Sequence, residues 1–136
     1  MRQPSLQPIA CLAALLWIAL APAMATNPPD VARGERRCGW FENPTPGNAT
    51  LTDRDGEWEI AAQGGHEADG DWPDFTDAQW VPTHGHHGYG CACLTMRADP
   101  ATHLVASIGK ATARPLATCR GDRSLREPPH AETDED

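Results

Sequence analysis

Gly88-Tyr89-Gly90-Cys91-Ala92-Cys93-Leu94 decides how the chain is read, because two cysteines one residue apart in an extended segment point to the same face. Both sulfurs then sit at one place, and the cysteines placed to meet them are Cys38, far upstream, and Cys119, downstream. The alternation runs from Tyr89 to Met96, with Tyr89, Cys91, Cys93 and Thr95 on one side and Ala92, Leu94 and Met96 on the other. A strand with something to bury on both faces belongs inside a sheet. The stretch is therefore expected to be a central strand to which both flanks of the chain are tied.

Whether those cysteines pair depends on the compartment. Residues 1–25 have the pattern of a secretory signal peptide: Arg2, an apolar run from Ile9 to Leu20, and Ala23-Met24-Ala25 as the small-residue cleavage site. The run holds about a dozen residues, short of the roughly 20 that a membrane span needs. The protein is thus expected to be periplasmic or secreted, with no membrane span. Removing the leader removes Cys11 and leaves Cys38, Cys91, Cys93 and Cys119, which read as a framework of two disulfides. A Cys91–Cys93 bridge would be strained. Two pairings stay open: 38 to 91 with 93 to 119, or 38 to 93 with 91 to 119. On the chain-entropy model the two loops contribute about 4 and about 3.5 kcal/mol. That is a large share of a domain stability of roughly 5 to 15 kcal/mol, in a chain whose large apolar residues are few.

Outward from the central strand, residues 26–36 are expected to be a flexible lead-in, 37–126 a single domain, and 127–136 a disordered acidic tail. Leu51 to Ile60 predicts a hairpin. With Asp55-Gly56 as a type I′ turn, Arg54 would pair with Glu57 and Leu51 with Ile60, placing Leu51, Trp58 and Ile60 on one face. Asp53-Arg54-Asp55-Gly56 also resembles the core of a calcium loop, but lacks the spaced closing carboxylate. Gln63 to Thr83, interrupted by Gly64-Gly65, Gly70 and Pro73, predicts a long loop with a short strand at Gln79 to Val81. Beyond Asp99-Pro100, a strand is expected with Leu104, Ala106 and Ile108 on one face, then a last extended piece from Arg114 to Cys119. The fold class is all-β: a small antiparallel sheet or a partly open barrel or sandwich with long loops, stapled by two disulfides.

The formal charge of −8 disfavours nucleic acid, which needs clustered Lys and Arg, and permits a cationic partner. With the cysteines oxidised and no serine in a nucleophile context, the residues favour binding over chemistry. Trp40, Trp72, Trp80 and Tyr89 are the candidate binding residues, because a flat ring with a polar handle suits a half-wet partner such as a sugar. His84, His86 and His87 are the candidate metal ligands. His84 and His86 share a face if the segment is extended, and a turn would gather all three around zinc, copper or nickel; no other cofactor is expected. A cell-wall glycan enzyme would draw a carboxylate pair from Glu42, Asp53, Asp55, Glu57 or Asp74.

Several blocks in one order carry a resemblance: Arg37-Cys38-Gly39-Trp40-Phe41-Glu42-Asn43-Pro44-Thr45-Pro46-Gly47-Asn48, Leu51 to Trp58, Gln63-Gly64-Gly65, Gly88 to Leu94, and Pro115-Leu116 before Cys119-Arg120. Together they resemble the bacterial family called domain of unknown function 4087. The resemblance implies small exported proteins and brings no activity with it. The chain departs from the family pattern at Ala49-Thr50 and at His84, His86 and His87. The expectation that results is a monomeric, exported binding module of the bacterial envelope. It would be inhibitor-like in acting through loops on a protein or glycan partner, with metal binding and glycan cleavage as alternatives.

Overall fold

The computed structural model describes residues 34–130. The signal peptide read over 1–25, residues 26–33 of the lead-in and residues 131–136 of the tail lie outside the described residues. Six strands follow one another: β1 (Glu35–Asn43), β2 (Ala49–Asp53), β3 (Gly56–Ala61), β4 (Trp80–His84), β5 (His87–Ala98) and β6 (Val105–Arg114), with a short helix α1 (Leu116–Arg120) after them. They form one antiparallel open sheet in the order β3-β2-β1-β5-β4, with β6 also paired to β5.

β5 is the hub, as the alternation of its residues requires. Along one edge it pairs with β1, from Glu35 opposite Met96 to Asn43 opposite Gly88. Its other edge is shared by β4, from Trp80 opposite Gly90 to His84 opposite His87, and by β6, from Cys91 opposite Arg114 to Ala98 opposite Val105. The two faces of β5 feed two cores. Ala92, Leu94 and Met96 join Phe41, Leu51, Trp58, Ile60, Val105 and Ile108 in the larger one. Tyr89 and Cys91 join Trp40 and Cys119 in the smaller one, which Leu116 of α1 and Leu125 help to cover. Burying the large aromatics and aliphatics of both clusters contributes roughly 1.5–3 kcal/mol per side chain.

The disulfides are Cys38–Cys93 and Cys91–Cys119, which settles the pairing the sequence left open. The register explains it: Cys38 stands directly opposite Cys93 on the neighbouring strand, whereas Cys91 stands opposite Trp40. Cys91 therefore reaches out of the sheet to Cys119 and pins α1 onto the smaller core.

Three details differ from expectation. The hairpin turns at Arg54-Asp55, with Asp53 opposite Gly56 and Leu51 opposite Trp58, so each partner shifts by two residues and the faces survive. A type I′ turn needs positive φ at both central residues, and Gly56 alone takes it here. The Asp53 carboxylate accepts the Asp55 backbone N–H at 2.8 Å and so makes Arg54-Asp55 the turn. In β6, register shifts beside Met96 and Ala98 break the alternation, so Val105 and Ile108 are buried while Ala106 is exposed and Leu104 is 37 % exposed. The piece from Arg114 to Cys119 leaves extended geometry after Pro115, whose fixed φ suits a helix start, and becomes α1.

β1 begins at Glu35, two residues ahead of the expected domain start. Beyond α1, Glu127 returns over the smaller core, with Arg120 Nη2 donating to its Oε1 at 2.7 Å, and Pro128 is buried. Among the described residues no helix is long and apolar enough to cross a membrane.

Candidate functional site

The sheet register assembles an acidic surface that no single segment of sequence shows. Glu42 on β1 stands opposite Thr50 on β2, and Thr50 opposite Glu59 on β3. One row along, Trp40 stands opposite Thr52, and Thr52 opposite Glu57. Directly opposed residues share a face, so Glu42, Glu57 and Glu59 project on one side of the sheet with Thr50 and Thr52 between them. This is the face α1 covers farther along, over Cys91 and Trp40. Glu57 is exposed and the other four are half-buried. Burial, and then the charge of Glu57, push the Glu42 carboxyl above the usual carboxylate range, with the Thr52 hydroxyl partly offsetting them. Two carboxylates held together this way favour an incoming cation.

The other carboxylates near this hairpin are already committed. Arg37 Nη1 donates to Asp53 Oδ2 and to Asp55 Oδ2, each at 2.8 Å, and Nη2 donates to Glu35 at 2.9 Å. Trp58 Nε1 donates to Asp53 Oδ1 at 3.0 Å. The guanidinium lies 4.0 Å over one side of the Trp58 ring, and the His103 ring stacks on it at 4.1 Å. His103, the only described non-glycine residue with positive φ (58°), also sets its Nδ1 3.0 Å from the Glu57 carbonyl. Arg37 thus occupies the carboxylates that the calcium reading would have used. Burial raises the Asp53 carboxyl, but the hydrogen bonds from Arg37, Trp58 and the Asp55 N–H, with the Arg37 charge, outweigh it and hold the group below its ordinary range.

Of the aromatic candidates, Trp40 and Tyr89 are 0 % and 1 % exposed in the smaller core, edge to face at 5.4 Å. Alternation sends them to the face that α1 covers, so neither offers a ring to a partner. Trp72 and Trp80 are half-buried and line one cleft. Phe41, Asn43, Pro73, Phe75, Thr76 and Asp77 share its lining, and its volume is about 250 Å³. Phe75 tilts against Trp80 at 5.0 Å and against Phe41 at 5.8 Å, and Trp72 stands edge-on to Phe41 at 5.7 Å. Phe75 can lie on β5 because position 90 is glycine: a Cβ there would sit 2.5 Å from the Phe75 ring.

The histidines lie in the β4–β5 turn, where His84 stands opposite His87 and Gly85 takes φ 59°. The His86 and His87 rings lie 4.3 Å apart, with Nδ1 of His87 buried and without a hydrogen-bond partner. Among the described residues no group of three or more His, Cys, Asp or Glu is placed to hold a metal ion. Asp74 is exposed on the loop that carries Trp72, apart from the Glu42 rows in the sheet. Glu42 and Glu57 are separate carboxylate candidates in the sequence, and their union with Glu59 in two neighbouring rows is what sequence reasoning missed. Their signal lay in the alternation of Thr50, Thr52, Glu57 and Glu59 within the hairpin, but Glu42 joins them only through the β1–β2 register.

Compared with family models, residues 32–126, most of the chain, match the model described as protein of unknown function (DUF4087). No curated protein and no solved structure matches the chain.

Proposed function

The chain belongs to the DUF4087 family, whose description carries no activity, so we propose a function from its own surfaces: it is an exported binding module that holds a cationic protein through the acidic sheet face. The observation that carries this reading is the pair of rows containing Glu42, Glu57 and Glu59, where like charges share one face and Glu42 is half-buried. Such an arrangement weakens the free fold and is relieved when a cation arrives. The formal charge of −8 steers a basic partner toward it. A partner such as a lysozyme, whose inhibition would follow from being covered, has the required chemistry.

The test is capture of a lysozyme by the immobilised protein at low and physiological salt, beside a Glu42→Gln/Glu57→Gln/Glu59→Gln variant. Binding that weakens with salt, and falls about tenfold or more in the variant, is expected. Absence of capture at both salt strengths, or equal affinity of the two proteins, overturns the proposal.

A second reading, a glycan-cleaving carboxylate pair, is favoured by the half-buried Glu42, whose carboxyl is pushed above the usual range by burial and the neighbouring Glu57, as suits a proton donor beside a second carboxylate. Incubation with peptidoglycan fragments followed by mass spectrometry separates the two. Turnover that disappears in Glu42→Gln would replace the binding reading with this one.

A further inference from the structure

The aromatic cleft is a second surface, on the sheet face opposite the acidic rows. Phe41, which forms one wall, alternates with Trp40 and Glu42 along β1 and packs in the larger core. The cleft is built rather than incidental. Gly90 makes room for Phe75, and the Thr76 N–H donates to Gln79 Oε1 at 3.1 Å, closing the turn that leads into Trp80.

Two properties of the lining decide what it suits. First, the rings are tilted against one another: 39° for Phe41 and Phe75, 40° for Phe75 and Trp80, and 62° for Phe41 and Trp72. A sugar stacks on a flat, open ring, whereas these rings pack against one another at 5.0 to 5.8 Å and leave an aromatic-walled hollow in place of a flat platform. Trp80 also donates its Nε1 to the His86 carbonyl at 3.1 Å, so that N–H is spent and does not serve a sugar hydroxyl. Second, the polar groups in the lining include acceptors. Asp77 contributes a carboxylate, and the Asn43 amide, turned so that its nitrogen donates to the Thr45 and Asn48 carbonyls at 2.8 and 2.9 Å, keeps its oxygen as an acceptor. Asp71 and Asp74, both exposed, precede Asp77 at intervals of three residues in the same loop.

We propose that the cleft walled by the half-buried Trp72, Phe75 and Trp80, with the buried Phe41 beneath them and Asp77 beside them, is a binding site for the cationic head of a lysine or arginine side chain of a partner polypeptide. The ring faces attract the charge, Asp77 and the Asn43 oxygen accept its N–H groups, and the apolar walls cover its alkyl stem. The site does not rest on the acidic sheet face.

The test follows the indole N–H signals of Trp72 and Trp80 in the ¹⁵N-labelled protein during titration with acetyl-trilysine amide and, separately, with chitotriose. Saturable shifts of these signals with trilysine and none with chitotriose are expected. Asp77→Asn, an exposed change that spares the fold, is expected to weaken trilysine about tenfold, in line with the loss of one charged contact to a cation held by aromatic rings. The Glu42→Gln/Glu57→Gln/Glu59→Gln variant is expected to keep the indole shifts, so failure of either proposal leaves the other standing. Unmoved indoles with trilysine, undiminished affinity in Asp77→Asn, or shifts with chitotriose alone each overturn the inference.

Discussion

Two buried polar side chains show how this small fold uses charge. Tyr89 is the only tyrosine in the chain, so its ionisation can be followed spectroscopically without interference. Burial, then its hydrogen bond to Glu127 at 2.9 Å and that group's charge, push its pKa up to about 12. The folded value lies above the unfolded value of roughly 10, so this stabilisation is complete below that pH and fades as pH rises through the folded value. Absorbance titration should give a midpoint near 12 that falls toward 10 in Glu127→Gln; an ordinary midpoint in the intact protein would contradict the burial of Tyr89. Asp53 behaves in the opposite sense. Its depressed pKa means that its stabilisation is present above about pH 4 and disappears as pH falls through the folded value. Asp53→Asn leaves Arg37 facing Asp55 and Glu35 alone and should cost about 3 kcal/mol at neutral pH, less at pH 3, by denaturant unfolding. An equal cost at both pH values would refute the charge account.

At the level of strands and turns, legibility followed the range of the interaction. β5 could be read because alternation is local, and the β2–β3 hairpin because its turn formers lie between two short apolar runs. Its register could not, since the choice of Arg54-Asp55 over Asp55-Gly56 depends on the Asp53 carboxylate capturing a backbone N–H. The irregular face of β6 depends on bulges opposite β5, which leave no mark in β6 itself. A five-residue α1 is too short to show a period. Glu42 reaches Glu57 and Glu59, and Arg37 reaches Asp53 and Asp55, only across 15 or more residues of chain, so pairing alone reveals these contacts. The disulfides differ in the same geometric way. Cys38 is exposed, while Cys91 and Cys119 are 1 % and 3 % exposed within the smaller core. Limited reduction of the native protein, trapped and mapped by mass spectrometry, should therefore open Cys38–Cys93 first; prior opening of Cys91–Cys119 would place α1 off the sheet.

For the molecule as a whole, the bridges span 55 and 28 residues, and their loop terms of about 4 and about 3.5 kcal/mol rival the stability of a typical domain. Reduced and alkylated protein from Thr26 onward should unfold without a cooperative transition, whereas the oxidised form should show one and carry no titratable thiol. A sharp transition after full reduction would mean that the two cores suffice alone. The central place of β5 also sets a timetable. Strands β1 to β3 are complete by Ala61, yet β1 has no partner on its second edge until β5 begins at His87. Trp40 and Phe41 must wait for their β5 neighbours while the intervening chain is made. The order in which the residues emerge thus runs against the order in which they can be buried.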